Sequence, residues 1–291
     1  GSLMLTLEAL KPLHIKPDQV RQVQNDTKLC PDSGMSGASR THFMSGNATK
    51  VAAEKLLNAM RKEDGTYRTY DEMVAEGIPT KYEGVWSCAS VDGLCHLNPN
   101  NGVGDPSPAY TYCLNLAEVE VDTKTGKAKV LRFVCVDDVG KVGNIAAVNG
   151  QAMGGISHSI GFALQETYGD FRSDAPQGDC RKHGNIASCG VPYIKDIPDD
   201  ITVIHYERPD EVGPFGSSGA SEAFQSSGHS AVINAIYNAC GVRVHELPAT
   251  PDKIKAGLAA IEKGEKPYAP SKYFLGSDMY DELDEIIANP V

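Results

Sequence analysis

The segment Gly213–Glu222, GPFGSSGASE, places three glycines and three serines directly before a single carboxylate and a helix start. Glycine lets backbone N–H groups approach an anion closely and tolerates positive φ, while serine adds a hydroxyl donor without filling space. The pattern predicts a cradle for a ligand with Glu222 at its rim, although the same composition also fits a flexible surface loop. The residues beyond Glu222 favour an ordered turn. Ser226 or Ser227 can cap a helix, Val232, Ile233 and Ile236 give it an apolar face, and Gly241 supplies its stop. Val242–Leu247 then alternates as a strand does, and Thr250-Pro251 opens another helix with proline at its first position.

A second small-residue segment lies upstream, at Asn149-Gly150-Gln151 and Gly154-Gly155. It separates an apolar strand, Val130–Val139, from a helix expected over about Ile156–Glu166. The primary amide of Gln151 can donate and accept at once, which suits an oxo group or the edge of a pterin. Gly154 and Gly155 read more simply as residues chosen for close helix packing.

A third segment, Pro31–Asn47, reads PDSGMSGASRTHFMSGN and leads into a helix expected over Ala48–Met60, with Val51, Leu56, Leu57 and Met60 available for burial. Arg40 beside Ser39 is the kind of pair that holds a phosphate, because guanidinium, hydroxyl and a helix N-terminus all favour anions. An isolated arginine is otherwise a surface ion-pair residue.

Elsewhere the chain reads as α+β, with mixed sheets and helices and no internal repeat. Tyr110–Val121 alternates, Asp122–Gly126 turns and Lys127–Val139 returns, a hairpin by pattern. Val85–Pro108 and Arg172–Cys189 read as irregular surface segments. Two lobes with a seam near residues 80–110, or one single unit, both fit. Gly1-Ser2 is read as the remnant of a cleaved tag, residues 3–264 as one functional domain, and 265–291 as a C-terminal extension. In that extension Met279, Leu283, Ile286 and Ile287 could line one side of a helix within Asp278–Ala288, packed on this domain or on a partner.

The net charge of −11 and the lack of basic stripes argue against nucleic acid as a partner. No apolar run approaches the roughly 20 residues that span a membrane, and a cytoplasmic setting is expected. The eight cysteines form no compact framework and read as mostly free, buried thiols. No phosphate-binding P-loop or dinucleotide G-x-G-x-x-G motif follows a strand.

Taken in order, these segments resemble the molybdenum-binding part of the xanthine dehydrogenase and aldehyde oxidoreductase family, the molybdenum hydroxylases, and most of all its bacterial aldehyde oxidoreductases. The resemblance is carried by Asn25-Asp26-Thr27, Pro31–Gly34, Ala38-Ser39-Arg40, Gly46-Asn47-Ala48, Asp138-Val139-Gly140, Asn144, Gly150-Gln151 and Gly213–Glu222. Thr69–Met73, Val191–Lys195 and Ile197–Asp200 add to it, and it runs from about Leu7 to Ala260.

The resemblance implies the fold of that family's cofactor domain, a molybdopterin cytosine dinucleotide, and oxidation of an aldehyde or N-heterocycle with oxygen taken from water. In relatives a glutamate at the position of Glu222 deprotonates the Mo–OH group. A base beside a metal calls for a carboxylate in a dry, restricted pocket. Carried over residue by residue, Ser39, Arg40, Thr41 and His42 contact the dinucleotide, Gln151 contacts the pterin, Asn144 lies nearby, and Ser218, Gly219, Ala220 and Ser221 supply backbone donors. No side chain of the chain ligates the metal, which the pterin holds.

Four positions depart from the family pattern. Ser221 stands where relatives carry glycine beside the base, Thr41 and His42 stand where glutamines are frequent, and His158 replaces an amide. Relatives also carry [2Fe-2S] clusters and a further molybdenum-site domain, on segments or subunits expected outside this chain, since the plant-type C-x4-C-x2-C spacing is absent. The chain is thus read as a fragment or subunit, inactive alone, within an enzyme that could form a homodimer. The competing reading is a non-catalytic, partner-binding domain of the same fold that has lost the cofactor.

Overall fold

The computed structural model describes residues 2–23, 26–90, 96–167 and 189–266. Asn25, Cys95, Cys180, all of the Arg172–Cys189 segment except Cys189, and the extension beyond Lys266 lie outside the described residues. The chain is α+β and forms two compact units, interleaved along the sequence. The first takes the residues up to Tyr112 together with Asp138–Gly150 and His205–Glu222; the second takes Cys113–Asp137, Gln151–Ile204 and the chain from Ala223 on. The expected seam at 80–110 is therefore displaced to Tyr112/Cys113 and is only the first of several crossings. Units exchanged this often arise from sheet pairing between distant segments, which leaves no linker composition to read.

In the first unit, α1 (Ser2–Ala9) packs on α2 (Gly46–Met60). Ala9, Leu10 and Ala53 are buried at their contact, with Leu13, Ile15, Leu56, Leu57 and Phe215 packed around them. Gly46 admits the close approach, since a Cβ there would come within 2.8 Å of Leu5 Cδ1 and of Pro214 Cγ. The helical path starts before the expected Ala48, because a π-helical turn over Thr41–Ser45 runs directly into α2. α3 (Tyr70–Ala75) opens with a capping box: Glu72 N donates to Thr69 Oγ1 and Thr69 N donates to Glu72 Oε2. A 3-10 turn over Cys88–Ser90 and a small antiparallel pair, β1 (His96–Leu97) with β2 (Gly104–Asp105), give local order to the segment expected to be irregular over Val85–Pro108.

The second unit is built on β3 (Tyr112–Asp122) and β4 (Lys127–Asp138), the hairpin expected from alternation, with β4 central in the order β3-β4-β5. Its turn is set by Asp122, whose Oδ1 accepts from Lys124 N and Thr125 N at 2.9 and 3.2 Å, and by Gly126 at φ 74°. Phe133 and Cys135 on β4 are fully buried.

Helix α4 (Ile145–Leu164) begins 11 residues before the expected Ile156 and so contains Gly150, Gln151, Gly154 and Gly155. Asn144 caps it, its Oδ1 accepting from Ala147 N at 3.0 Å. The buried stripe Ala152, Gly155, Ile156, Ser159, Ile160, Ala163 has helical spacing, and its packing outweighs the roughly 1 kcal/mol that each glycine costs a helix. Gly155 is a packing glycine as expected, since a Cβ there would overlap Phe224; Gly154 faces open space instead.

After β5 (Asp200–His205) come the short α5 (Ala223–Ser226), α6 (Gly228–Cys240) and α7 (Pro251–Glu262). Ser227 occupies the N-cap position of α6 without capping it, because its Oγ accepts from Asn115 Nδ2 at 2.8 Å. Val232 and Ile236 are buried, Gly241 ends α6 at φ 77°, and Thr250 caps α7, as expected. Val242–Leu247 forms no extended strand, although Arg243 within it makes an isolated β-bridge. Val242 and Val244 point inward with strand-like alternation, but the segment is none of the three strands of this unit's sheet.

The cysteines correct one further expectation. All six described are free, yet only Cys135 is buried. No helix among the described residues is long and apolar enough to cross a membrane.

Candidate cofactor and catalytic site

The Gly213–Glu222 segment is pinned rather than flexible. Asp210 Oδ1 accepts from Val212 N at 2.9 Å and Gly213 N at 2.6 Å, while Asp210 N donates to Gly216 O at 2.8 Å. Buried Asn47 donates from Nδ2 to Val212 O. On the other side, Gly140 bridges Ser217, Lys141 N donates to Gly216 O and Ser218 N donates to Val139 O. Gly140 and Gly216 both hold positive φ, at 71° and 85°, which only glycine adopts without strain. Thr111 Oγ1 donates to Gly219 O at 2.6 Å. The Asp138-Val139-Gly140 motif thus serves as the partner strand of the cradle.

Glu222 is fixed by the third segment. Its Oε1 accepts from Ala38 N at 3.1 Å and its Oε2 from Ser39 Oγ at 3.3 Å. The same Ser39 oxygen accepts from Ser221 N at 3.0 Å. Gly219 makes this contact feasible, since a Cβ there would overlap the Ser39 side chain. Ala38 and Ser39 both sit in the left-handed region, at φ 50° and 58°, a conformation that non-glycine residues keep only where surrounding contacts enforce it. Glu222 is exposed, so the described residues alone do not shield it from water.

Arg40 is neither a surface ion pair nor a free cation: its Nη1 donates to Ser33 O at 2.9 Å and Met35 O at 2.6 Å, folding the Pro31–Gly37 loop around the guanidinium. Thr41 Oγ1 and Ser36 Oγ share a hydrogen bond of 2.6 Å. His42 Nε2 lies 2.7 Å from Ser217 Oγ, and that hydroxyl donates to Pro214 O. With its one proton so used, Ser217 accepts, and His42 carries its proton on Nε2. Burial holds the His42 imidazole below its ordinary value and so keeps it neutral.

Asn144 makes its helix-capping bond and none to this cluster, and Gln151 belongs to the second unit, exposed on α4. His158 Nδ1 pairs with Gln225 Oε1 at 2.7 Å. The structure therefore brings together Ser39, Ser221 and Glu222, and separately His42 with Ser217. Ala38 and Thr111 were missed, because nothing local marks a partner more than 100 positions away, whereas Asp210, bonded only two to six residues along the chain, was open to a local turn reading that was not made.

The donor set fits an acceptor-rich ligand. Of the four N–H groups from Ser218 to Ser221, those of Ser218 and Ser221 are already used, which leaves the amides of Gly219 and Ala220. Ser218 Oγ is buried and has no hydrogen-bond partner among the described residues, a polar group that a ligand atom would satisfy. Beside Arg40 opens a cleft of about 770 Å³ whose lining includes Lys28, Ser45, Thr49, Lys81 and Trp86. A cleft of this size suits a small organic group, and its wall is mixed in charge: Lys28, Arg40 and Lys81 share it with Asp32 and Glu83, the last paired with Lys81 at 3.2 Å. Among the described residues no three His, Cys, Asp or Glu side chains converge as metal ligands.

Residues 4–198 match the family model of the molybdopterin cofactor-binding domain. The chain is 40% identical over 253 residues to the aldehyde oxidoreductase of Megalodesulfovibrio gigas, covering 87% of this chain and 27% of that protein. It is 31% identical over 274 residues to the probable hypoxanthine oxidase XdhD of Escherichia coli (strain K12), covering 89% and 28%. The crystal structure of the aldehyde oxidoreductase from Desulfovibrio desulfuricans ATCC 27774 superimposes with a TM-score of 0.78 at 43% identity, over 88% of this chain and 27% of that one. The chain thus spans little more than a quarter of these relatives. With the cradle, the donor set and these likenesses in agreement, the chain belongs to the molybdopterin cofactor-binding domain family, as a member of the aldehyde oxidoreductase and xanthine dehydrogenase type of molybdenum oxidoreductases.

Proposed function

We propose that this chain supplies one wall of the cofactor site of a molybdenum hydroxylase acting on an aldehyde or an N-heterocycle, with Glu222 as its general base. The observation that carries the reading is the carboxylate of Glu222, anchored through both oxygens by Ala38 N and Ser39 Oγ at the end of a pinned glycine cradle. The cofactor is a molybdopterin cytosine dinucleotide. Arg40, Thr41, His42 and the backbone at Ser39 hold its dinucleotide, Gln151 and the free amides of Gly219 and Ala220 its pterin, and Asn144 orders the helix that carries Gln151. When bound, the molybdenum centre supplies the two-electron redox chemistry and the water-derived oxygen.

The work left to the chain is proton transfer and positioning. Each oxygen of Glu222 accepts one hydrogen bond and keeps a lone pair free, so the carboxylate can take a proton without breaking its anchors. Because Glu222 is exposed here, the shielding that a base needs comes from the remaining molybdenum-site domain. That domain and the [2Fe-2S] clusters that carry electrons away lie on further segments or subunits, so this chain alone is inactive. The complete enzyme is cytoplasmic.

Elemental analysis and nucleotide release on the intact protein test this reading. One molybdenum and one CMP per copy support it. Their absence, in protein from a host able to make the cofactor, would favour a partner-binding domain.

A further inference from the structure

Resting on Glu222 as the base, we infer that Ser39 is its positioning residue: the Ser39 hydroxyl holds the carboxylate in place rather than contacting the dinucleotide. A serine hydroxyl has one proton, and that of Ser39 goes to Glu222 Oε2, while its oxygen receives Ser221 N. The hydroxyl therefore joins the base to the turn that presents it. Ala38 N fixes the other carboxylate oxygen, so two consecutive residues define both its distance and its plane. Their left-handed backbone is what aims a main-chain N–H and a side-chain hydroxyl at the same carboxylate. Gly219 lets the two loops close, since any side chain there would displace Ser39. Four features at one place, separated by about 180 positions of sequence, make an orienting device. The dinucleotide retains Arg40, Thr41 and His42.

The test uses the intact protein, with Ser39→Ala and Ser39→Gly. The glycine variant adopts the left-handed conformation freely, so its fold is under no added strain. Both variants are expected to lower kcat about tenfold, the weight of one hydrogen bond to a charged group, with KM and molybdenum content within about twofold of the parent. In the double variants with Glu222→Gln the Ser39 substitutions should cost nothing further, because Ser39 acts only through the base. Independently of turnover, amide exchange at Ser221 should quicken about tenfold in both Ser39 variants, while α2 stays protected. Loss of molybdenum in either variant, additive losses in the double variants, or unchanged exchange at Ser221 would each overturn the assignment. If Glu222→Gln itself retains full turnover, the base reading fails, and exchange at Ser221 still decides whether Ser39 holds the turn.

Discussion

Ser39 Oγ lies 3.3 Å from Glu222 Oε2 and 3.0 Å from Ser221 N, so one hydroxyl ties the Pro31–Asn47 segment to the end of the Gly213–Glu222 cradle. Two stretches that look alike in composition are thus two halves of one device. The closeness of that contact is set at Gly219.

Replacing Gly219 with alanine should separate the halves. The added methyl overlaps Ser39, and relief requires the Ala38-Ser39 turn to move away from Glu222. The expected cost is about 1–3 kcal/mol of stability, typical of forcing a methyl into a packed site, together with lower turnover in the intact enzyme. Thermal unfolding and steady-state kinetics on the same preparation check both effects.

The pH dependence of stability should carry a signature from His42. Burial lowers its folded-state value beneath the ordinary 6.5, so as pH falls through 6.5 the unfolded chain binds a proton that the folded chain does not. Stability from this group is complete above 6.5 and is lost as pH falls toward the lowered folded value. His42→Gln keeps a donor for Ser217 Oγ but cannot titrate. Denaturant unfolding at pH 7.5 and 5.5 should show a smaller drop for the variant than for the parent; an equal drop would place the titration elsewhere, for instance at His245, whose value burial also lowers.

Asn144 was expected near the cofactor, and the structure gives it a helix-capping bond. Asn144→Ala should cost about 1 kcal/mol, while Asn144→Asp, an equally good cap, should cost far less. Equal molybdenum content in both variants would make the residue's role structural; loss of metal from the aspartate variant would restore a direct cofactor contact.

Cys113 and Cys135 face each other with 3.4 Å between sulfurs on neighbouring strands. The contact between the two thiols lowers the Cys113 value and raises that of Cys135. Cys113 is also the more exposed of the two. Limited alkylation followed by peptide mapping should label Cys113 well before Cys135. Equal labelling would contradict that difference between the two thiols.

Much of this was legible in the sequence, and the failures have physical causes. The β3–β4 hairpin announced itself by alternation and an Asp-to-Gly turn, α7 by Thr250-Pro251, and the end of α6 by Gly241. Helix α4 was shortened because Gly150, Gly154 and Gly155 look like a loop until their packing partner, Phe224 in the case of Gly155, is known. Ser227 looked like a cap because cap preference is local, whereas Asn115, which takes its hydroxyl, is 112 residues away. The cradle and its glutamate could be read from composition and resemblance. That Ser39 and Ala38 hold the glutamate could not, since left-handed serine and alanine carry no mark in sequence.

The central claim is that Glu222 takes the proton, and Glu222→Gln in the intact, molybdenum-loaded enzyme tests it most directly, because the amide preserves shape while losing the basic oxygen. The account predicts turnover reduced by about 10²–10⁴ with molybdenum content and the Ser221 amide's protection unchanged. Turnover within threefold of the parent at equal molybdenum content would contradict it.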